Sequence, residues 1–282
     1  MNLSFKPDFQ DKVTVVTGGA GVLCSAFCEA LADCGAKVAI LDYDVEKAKA
    51  LAEEINKKGG KALGVFVNVL DKESIANAHK EVFDTFGKCD ILINGAGGNN
   101  PKATTDEEYF SEETLNSPDK KSFFDLPMEG FERVFSLNIM GTLLPTQEFA
   151  KDMLGRGGNI MNISSMNAFT PLTKIPAYSA AKAGVSNFTE WLAVHFAKEG
   201  IRVNAIAPGF FSTQQNAALL WNPDGTPTAR TGKILAATPM GRFGEPNELL
   251  GALLFLLDDK SAGFITGVVL PIDGGFNAYS GV

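Results

Sequence analysis

Short apolar runs alternate with longer amphipathic stretches along most of this chain. Residues 13–16, 37–41, 62–67 and 89–93 are of strand length and nearly continuously apolar. Between them, residues 23–34, 45–57 and 72–86 carry apolar side chains at helical spacing. The same beat resumes later, predicting helices over 128–154, 175–198 and 247–257 and strands over 159–163, 201–207 and 268–272. Strands apolar on both sides and separated by helices predict a parallel sheet covered on both faces, with right-handed crossovers. The expected fold class is α/β, a doubly wound parallel sheet of about seven strands with helices on both faces. Two stretches break the beat. Residues 97–127 and 208–239 are rich in loop-forming residues without a clear period, and irregular segments of that length usually carry function. No repeat or linker divides the chain, so residues 1–282 are expected to form one domain.

Chemistry-bearing residues gather where the strands end. Gly18, Gly19 and Gly21 lie between the first strand and the first helix, which Val22 and Leu23 open. Such a turn lets backbone approach a pyrophosphate and leaves helix N–H groups to bind it, though tight turns also use glycine for conformation alone. Asp42 closes the second strand. A carboxylate there can accept both ribose hydroxyls of an adenosine and repels a 2′-phosphate, which favours NAD over NADP. A helix N-cap is the plainer alternative for the same aspartate. Asn68 and Val69 follow the third strand, placed to contact an adenine. Asn94, Gly95, Ala96 and Gly97 make a second glycine turn after the fourth. Pro208, Gly209, Phe211 and Thr213 follow the sixth and could hold a nicotinamide amide.

Tyr178 and Lys182 stand four apart on a predicted helix and so share one face. An ammonium that close favours the phenolate by about 4 kcal/mol at an effective dielectric of about 20. It would turn a phenol with pKa of about 10 into a usable general acid/base. Ser165, upstream at the end of a strand, could hydrogen-bond the same substrate oxygen.

Composition narrows the partners. Hydrophobic residues are 45% and charged residues 21%, an ordinary globular balance. The net charge of −8 disfavours a nucleic-acid partner and requires local cations for any anionic substrate. The first residues lack the apolar core of a signal peptide, and no run approaches a membrane span, so a soluble cytoplasmic protein is expected. Cys24, Cys28, Cys34 and Cys89 read as reduced, packed thiols; the two histidines, His79 and His195, lack ligand spacing to them, and no metal is expected.

In order and spacing, Thr17-Gly18, Asn94 to Gly97, Asn138, Ser165, Tyr178 with Lys182, Pro208-Gly209 and Asp273-Gly274-Gly275 resemble the short-chain dehydrogenase/reductase family over about residues 10–280. The resemblance implies a Rossmann-type domain, a nicotinamide cofactor (NAD, given Asp42) and a homotetramer. It also implies roles. Tyr178 would exchange a proton with the substrate oxygen, and Lys182 would lower the tyrosine pKa and hold the nicotinamide ribose. Ser165 would polarise the substrate, and Asn138 would hold a proton-relaying water. One departure stands out: Val22 and Cys24 occupy the last two glycine positions of the family's fingerprint, which should alter how the first helix meets strand and pyrophosphate.

That departure, the opening of the first irregular segment, residues 164–171 and the ending 274–282 are similar to the branch of the family that acts on D-mannonate. The similarity implies NAD(H)-linked interconversion of D-mannonate and D-fructuronate. A sugar-acid substrate brings a carboxylate and several hydroxyls, so a cation and amide partners are expected in its pocket. Asn100, Lys102, Asn167, Lys174 and Gln214 are the candidates, with Asn99, Gln215, Asn216 and Arg242 behind them. Trp221 could line a lid or a subunit contact, or simply pack. Competing readings are a gluconate-type dehydrogenase, a 3-oxoacyl carrier-protein reductase, which Asp42 disfavours, and a non-catalytic NAD(H)-sensing regulator. The complete Ser165, Tyr178 and Lys182 set argues against the last.

Overall fold

Seven parallel strands build the sheet in the order β3-β2-β1-β4-β5-β6-β7. A computed structural model describes residues 3, 5–212 and 220–281. The strands are β1 (Val13–Thr17), β2 (Lys37–Asp42), β3 (Lys61–Phe66), β4 (Ile91–Asn94), β5 (Gly158–Ile163), β6 (Ile201–Pro208) and β7 (Val269–Ile272). Every residue of β1, β4 and β6 is buried, because helices cover both faces. That burial is why those runs lack polar alternation.

One helical layer comprises α1 (Val22–Asp33), α2 (Val45–Lys57) and, near the end of the chain, Leu250–Leu257. Phe27, Leu31, Ile55, Leu250 and Leu253 join its core to the sheet. The other layer holds α3 (Lys72–Phe86), and its core gathers Ile75, Val82, Phe149 and Leu192. β1 pairs with β2 on one side and β4 on the other, through Val15 with Ala39 and Val15 with Leu92. Crossovers therefore leave in opposite directions from this point, and a crevice opens at the carboxyl ends of β1 and β4.

Three predicted boundaries change. The helix expected over 128–154 is α5 (Met128–Phe135), a π turn (Ser136–Met140) and α6 (Gly141–Phe149), with Pro145 inside α6. The periodicity hides the wide turn because a single inserted residue barely disturbs an apolar stripe. The irregular stretch 97–127 contains the short helix α4 (Glu112–Leu115) and 3₁₀ turns at Pro101–Ala103 and Phe123–Asp125, capped by the side chains of Ser111, Asn100 and Ser122. After α7 (Pro176–Phe196), the stretch 208–239 contains α8 (Ala229–Ala236), started by the Thr228 side chain. Leu220, Ile234 and Phe243 form a separate small core beneath α8. Trp221 sits edge-on to Phe243, with ring centroids 6.2 Å apart, so it packs within this lobe. Among the described residues, no helix is long and apolar enough to cross a membrane.

Candidate active site

The crevice at the strand switch is a cleft of about 850 Å³, lined by the glycine turns, Asp42, Val69, Tyr178, Lys182 and Phe211, among others. Its floor depends on close backbone approach. Gly18 has φ 62°, and a Cβ there would lie 2.9 Å from Ala96 backbone. Thr17 Oγ1 accepts from the Gly95 and Ala96 N–H groups at 3.2 and 3.4 Å, tying the two turns together. Gly21 caps α1 with no side-chain hydrogen bond, so the helix presents its first N–H groups to the cleft beside Val22 and Leu23.

Asp42 points its carboxylate back at this turn. Oδ2 accepts from Ala20 N at 3.0 Å and Oδ1 from Asp44 N at 3.0 Å. The cap of α2 is Asp44, which accepts from Lys47 N, so the capping alternative for Asp42 is removed. Each Asp42 oxygen keeps acceptor capacity on the cleft side. Asn68 and Val69 line the cleft, although the Asn68 amide oxygen is also used locally by Leu70 N. Gly209 and Phe211 line it from the segment after β6. Gly19, Asn94 and Pro208 lie behind the lining rather than in it. Asn94 is 2% exposed because its amide is turned into the sheet, donating to Thr146 Oγ1 and Asn162 Oδ1. Thr213 and Gln214, with Gln215 and Asn216, lie outside the described residues.

The fingerprint departure has a structural counterpart. A Cβ on residue 95 would fall 2.4 Å from Cys24 Sγ, so the thiol fills the notch that Gly95 leaves empty. Burial pushes the Cys24 thiol up to about 12, and it stays a neutral packing group.

Three elements bring the expected catalytic residues together. Ser165 lies two residues beyond β5 and caps a 3₁₀ turn; its Oγ accepts from Asn167 N at 3.3 Å. Tyr178 and Lys182 ride α7, held to the strand end by Ser164 Oγ, which donates to Lys182 O at 3.2 Å. Small residues permit the close fit: Ala177 and Ala181 are fully buried, and a Cβ on Gly184 would meet Ile139 at 2.8 Å. Lys182 Nζ donates to Ile163 O at 2.7 Å and lies 5.7 Å from the Tyr178 ring centre. Asn138 comes from the π turn, fully buried. Its amide donates to Gly98 O and Val134 O at 2.8 Å each and accepts from Gly98 N at 3.2 Å. A Cβ on Gly97 would be 2.7 Å from Asn138 Oδ1 and 3.1 Å from Lys182 Nζ, so Asn138, Gly97 and Lys182 are packed side by side.

The electrostatics differ from the simple tyrosine–lysine picture. Burial pushes the Tyr178 phenol above its usual value, and its hydrogen bond with Ser165 pulls the other way. Lys182 lies over the ring, 5.7 Å from its centre, and is itself pushed down to about 8 by burial. The Asn138 side chain is held by backbone partners and fastens the Gly97-Gly98 turn, with its Oδ1 accepting one hydrogen bond there.

Most of the expected substrate cations are engaged elsewhere. Lys102 Nζ binds both oxygens of Glu129, at 3.0 and 3.2 Å, on the surface. Lys174 has φ 71° and ties down the first irregular segment: its Nζ donates to Asp106 O at 2.6 Å, and its carbonyl accepts from Thr105 N at 2.9 Å. Arg242 grips Glu248 with two nitrogens at 2.7 Å each. Asn100 caps the turn at 101–103 through its side chain, and Asn99 donates to Thr104 Oγ1. Asn167 is different: it is 4% exposed and its Oδ1 has no partner. Sequence reasoning missed Tyr43, Arg133, Leu137 and Phe210 in the lining. The i,i+4 spacing of Arg133 and Leu137 before Asn138 was the one signal available for the helical pair.

Residues 12–222 match the family model for short chain dehydrogenase, and the chain belongs to that family. An uncharacterized oxidoreductase of Haemophilus influenzae is 59% identical over 283 residues, covering 100% of this chain and 99% of its own. The uncharacterized oxidoreductase UxuB of Bacillus subtilis is 53% identical over 272 residues, 96% of each chain. A Haemophilus protein provisionally assigned as a D-mannonate oxidoreductase, solved with bound NAD, superposes with a TM-score of 0.95 at 58% identity, covering 98% of both chains. This chain is accordingly an oxidoreductase of the short-chain dehydrogenase class, with the Rossmann-type fold.

Two predictions concern the site itself. Gly95→Ala should cost about 1–3 kcal/mol in urea unfolding through overpacking. Adding Cys24→Ala should restore part of that loss, though not all, because Thr17 O remains 2.7 Å from the new Cβ. Additive losses in the double variant would contradict the paired packing. The second concerns Lys182. Below pH about 8 both folded and unfolded chains hold its proton, and the cost of burying the charge is fully present. Between about 8 and 10.5 only the unfolded chain holds it, so this residue's contribution to stability improves as pH rises. Lys182→Met should therefore be more stable than wild type at pH 7, by on the order of 3 kcal/mol, with the gap closing toward pH 10. Thermal melts at both pH values check this.

Proposed function

We propose that this protein is an NAD(H)-dependent oxidoreductase that interconverts a secondary alcohol and a ketone on a sugar acid, with D-mannonate and D-fructuronate as the pair. The observation that carries the chemistry is the hydrogen-bonded Ser165 and Tyr178 pair, with Lys182 against the Tyr178 ring in one cleft with Asp42. The sugar-acid assignment rests on the sequence similarity and on the relative solved with NAD. The cleft fits a dinucleotide: glycine turns that a Cβ would fill, an uncapped helix N-terminus, and a carboxylate in place for ribose hydroxyls. Gly18, Gly21, Val22 and Leu23 would hold the pyrophosphate, and Asp42 the adenosine ribose. Asn68, Val69 and Ala96 would face the adenine side, and Gly97, Gly209 and Phe211 the nicotinamide side. When bound, the nicotinamide accepts or supplies the hydride.

The protein's own groups handle the proton and the geometry. The Tyr178 hydroxyl exchanges a proton with the substrate oxygen, and the Ser165 hydroxyl orients that oxygen. Lys182, desolvated and aimed by Ile163 O, supplies positive potential beside the ring and holds the nicotinamide ribose. Its charge acts at short range in a poorly hydrated site, where electrostatic effects are strongest. Asn138 keeps Gly97 and Gly98 at the distance that lets Lys182 reach the cleft. Asn167 offers its unpaired Oδ1 to a substrate hydroxyl two residues from Ser165. The protein is expected to be a cytoplasmic homotetramer; Trp191 and Val194, 56% and 81% exposed on α7, provide apolar surface for assembly.

NADH oxidation followed at 340 nm tests the reading, using D-fructuronate, 5-keto-gluconate, D-tagaturonate and an acetoacetyl thioester, each repeated with NADPH. Turnover of D-fructuronate with NADH, and little with NADPH, is expected; preference for another keto acid would remove the substrate assignment. Tyr178→Phe should keep NADH binding and lose about 10²–10⁴ in kcat. An unchanged rate would remove Tyr178 from catalysis. Asn167→Ala should raise KM for the sugar acid by about tenfold, one lost hydrogen bond in a desolvated site, while leaving NADH affinity alone. An unchanged KM would place Asn167 outside the substrate contacts.

A further inference from the structure

A sugar-acid enzyme with a net charge of −8 and an aspartate already in its cleft needs a cation to receive an anion. Lys102, Lys174 and Arg242 are each held by other groups, as described above. Among the described residues, the cations lining the cleft are Lys182 and Arg133, and the Lys182 ammonium is committed to Ile163 O and Tyr178. Arg133 lies on α5, four residues before Leu137 in the cleft wall and five before Asn138.

Its helical neighbours explain why it stays available. Residues three and four away on α5 and the π turn are Glu129, Gly130, Ser136 and Leu137, so Glu129 is the acidic side chain that could reach it. Glu129 has both oxygens engaged by Lys102 from across the chain. Glu132 adjoins Arg133 in sequence but leaves the helix on another face. No ion pair or hydrogen bond to the Arg133 side chain occurs among the described residues.

We propose that Arg133 is the anion-binding residue of the cleft, taking a carboxylate or phosphate oxygen pair in its planar fork, and that Lys102 keeps it available by holding Glu129. Carboxylate and phosphate share this chemistry. The carboxylate would come from the substrate, an assignment that rests on the function proposed above; the phosphate would come from the dinucleotide. Lys102 is then a positioning residue rather than a ligand.

The test compares Arg133→Gln, Arg133→Lys and Lys102→Ala with wild type in the intact protein. The readouts are KM for D-fructuronate, kcat, and NADH dissociation by fluorescence titration, with thermal melts to verify folding. Arg133→Gln should raise one dissociation-type constant by about tenfold. If that constant is the substrate KM with NADH affinity unchanged, the anion is the substrate carboxylate. If it is the NADH constant, the anion is a cofactor phosphate. Arg133→Lys should recover part of the loss, and Lys102→Ala should weaken the same constant to a smaller degree by releasing Glu129. Both constants within twofold of wild type in folded Arg133→Gln would overturn the proposal, as would a Lys102→Ala variant that leaves the affected constant untouched. If wild type turns over no sugar acid, the substrate assignment fails by itself, and the NADH titration still decides whether Arg133 holds an anion.

Discussion

The working edge of this protein depends on how closely β1 and β4 come together where they end. Gly18 takes a left-handed conformation and lies against Ala96 backbone, while Thr17 accepts two N–H groups from the opposing turn. A side chain at Gly18 would push the two turns apart. Because crossovers diverge from this pair, the space above it is covered by neither helical layer. The cleft, its glycine turns and the helix that carries Tyr178 and Lys182 are arranged around that gap. The Cys24 and Gly95 contact belongs to the same constraint: where the fingerprint departs from glycine, the opposing turn supplies the room.

Into this gap the fold carries a lysine that is 5% exposed. Burying an ammonium opposes its charge, and here one backbone carbonyl and an aromatic face are its direct partners. The arrangement trades stability for a charge positioned where the proposed mechanism moves a proton and a hydride. Neighbouring polar groups are correspondingly well anchored. The Asn138 amide is bonded to Gly98 and Val134, and Asn94 and Asn162 join β4 and β5 to Thr146 on α6 and Thr189 on α7. Rigid backing of this kind keeps Gly97 and Lys182 in register, which matters when small displacements weaken catalysis.

The substrate side is assembled differently. Three segments remote in sequence are joined by cations: Lys174 binds Asp106 O, Lys233 binds Glu108 at 2.7 Å, and Lys102 binds Glu129. The first irregular segment is thereby attached both to the loop before Tyr178 and to α8. Exposed ion pairs contribute little stability individually. Their effect here is to determine which charges remain for a ligand, and Arg133 emerges by that subtraction.

The sheet, its doubly wound order and the positions of Ser165, Tyr178, Lys182 and Asp42 were legible in the sequence by itself. Those features depend on short-range physics: apolar runs report burial on both faces, and strand ends and one-turn spacings place residues on one edge. The π turn at 136–140 was not legible, since an extra residue in a helix leaves the apolar pattern nearly intact. Nor was the upward push of burial on Tyr178, because that is set by what packs around α7. The availability of Lys102, Lys174 and Arg242 was decided by tertiary structure alone. A cation's usefulness to a ligand depends on whether a carboxylate or carbonyl reaches it first. In Lys174 and Lys102 those groups come from segments that only folding brings within 3 Å.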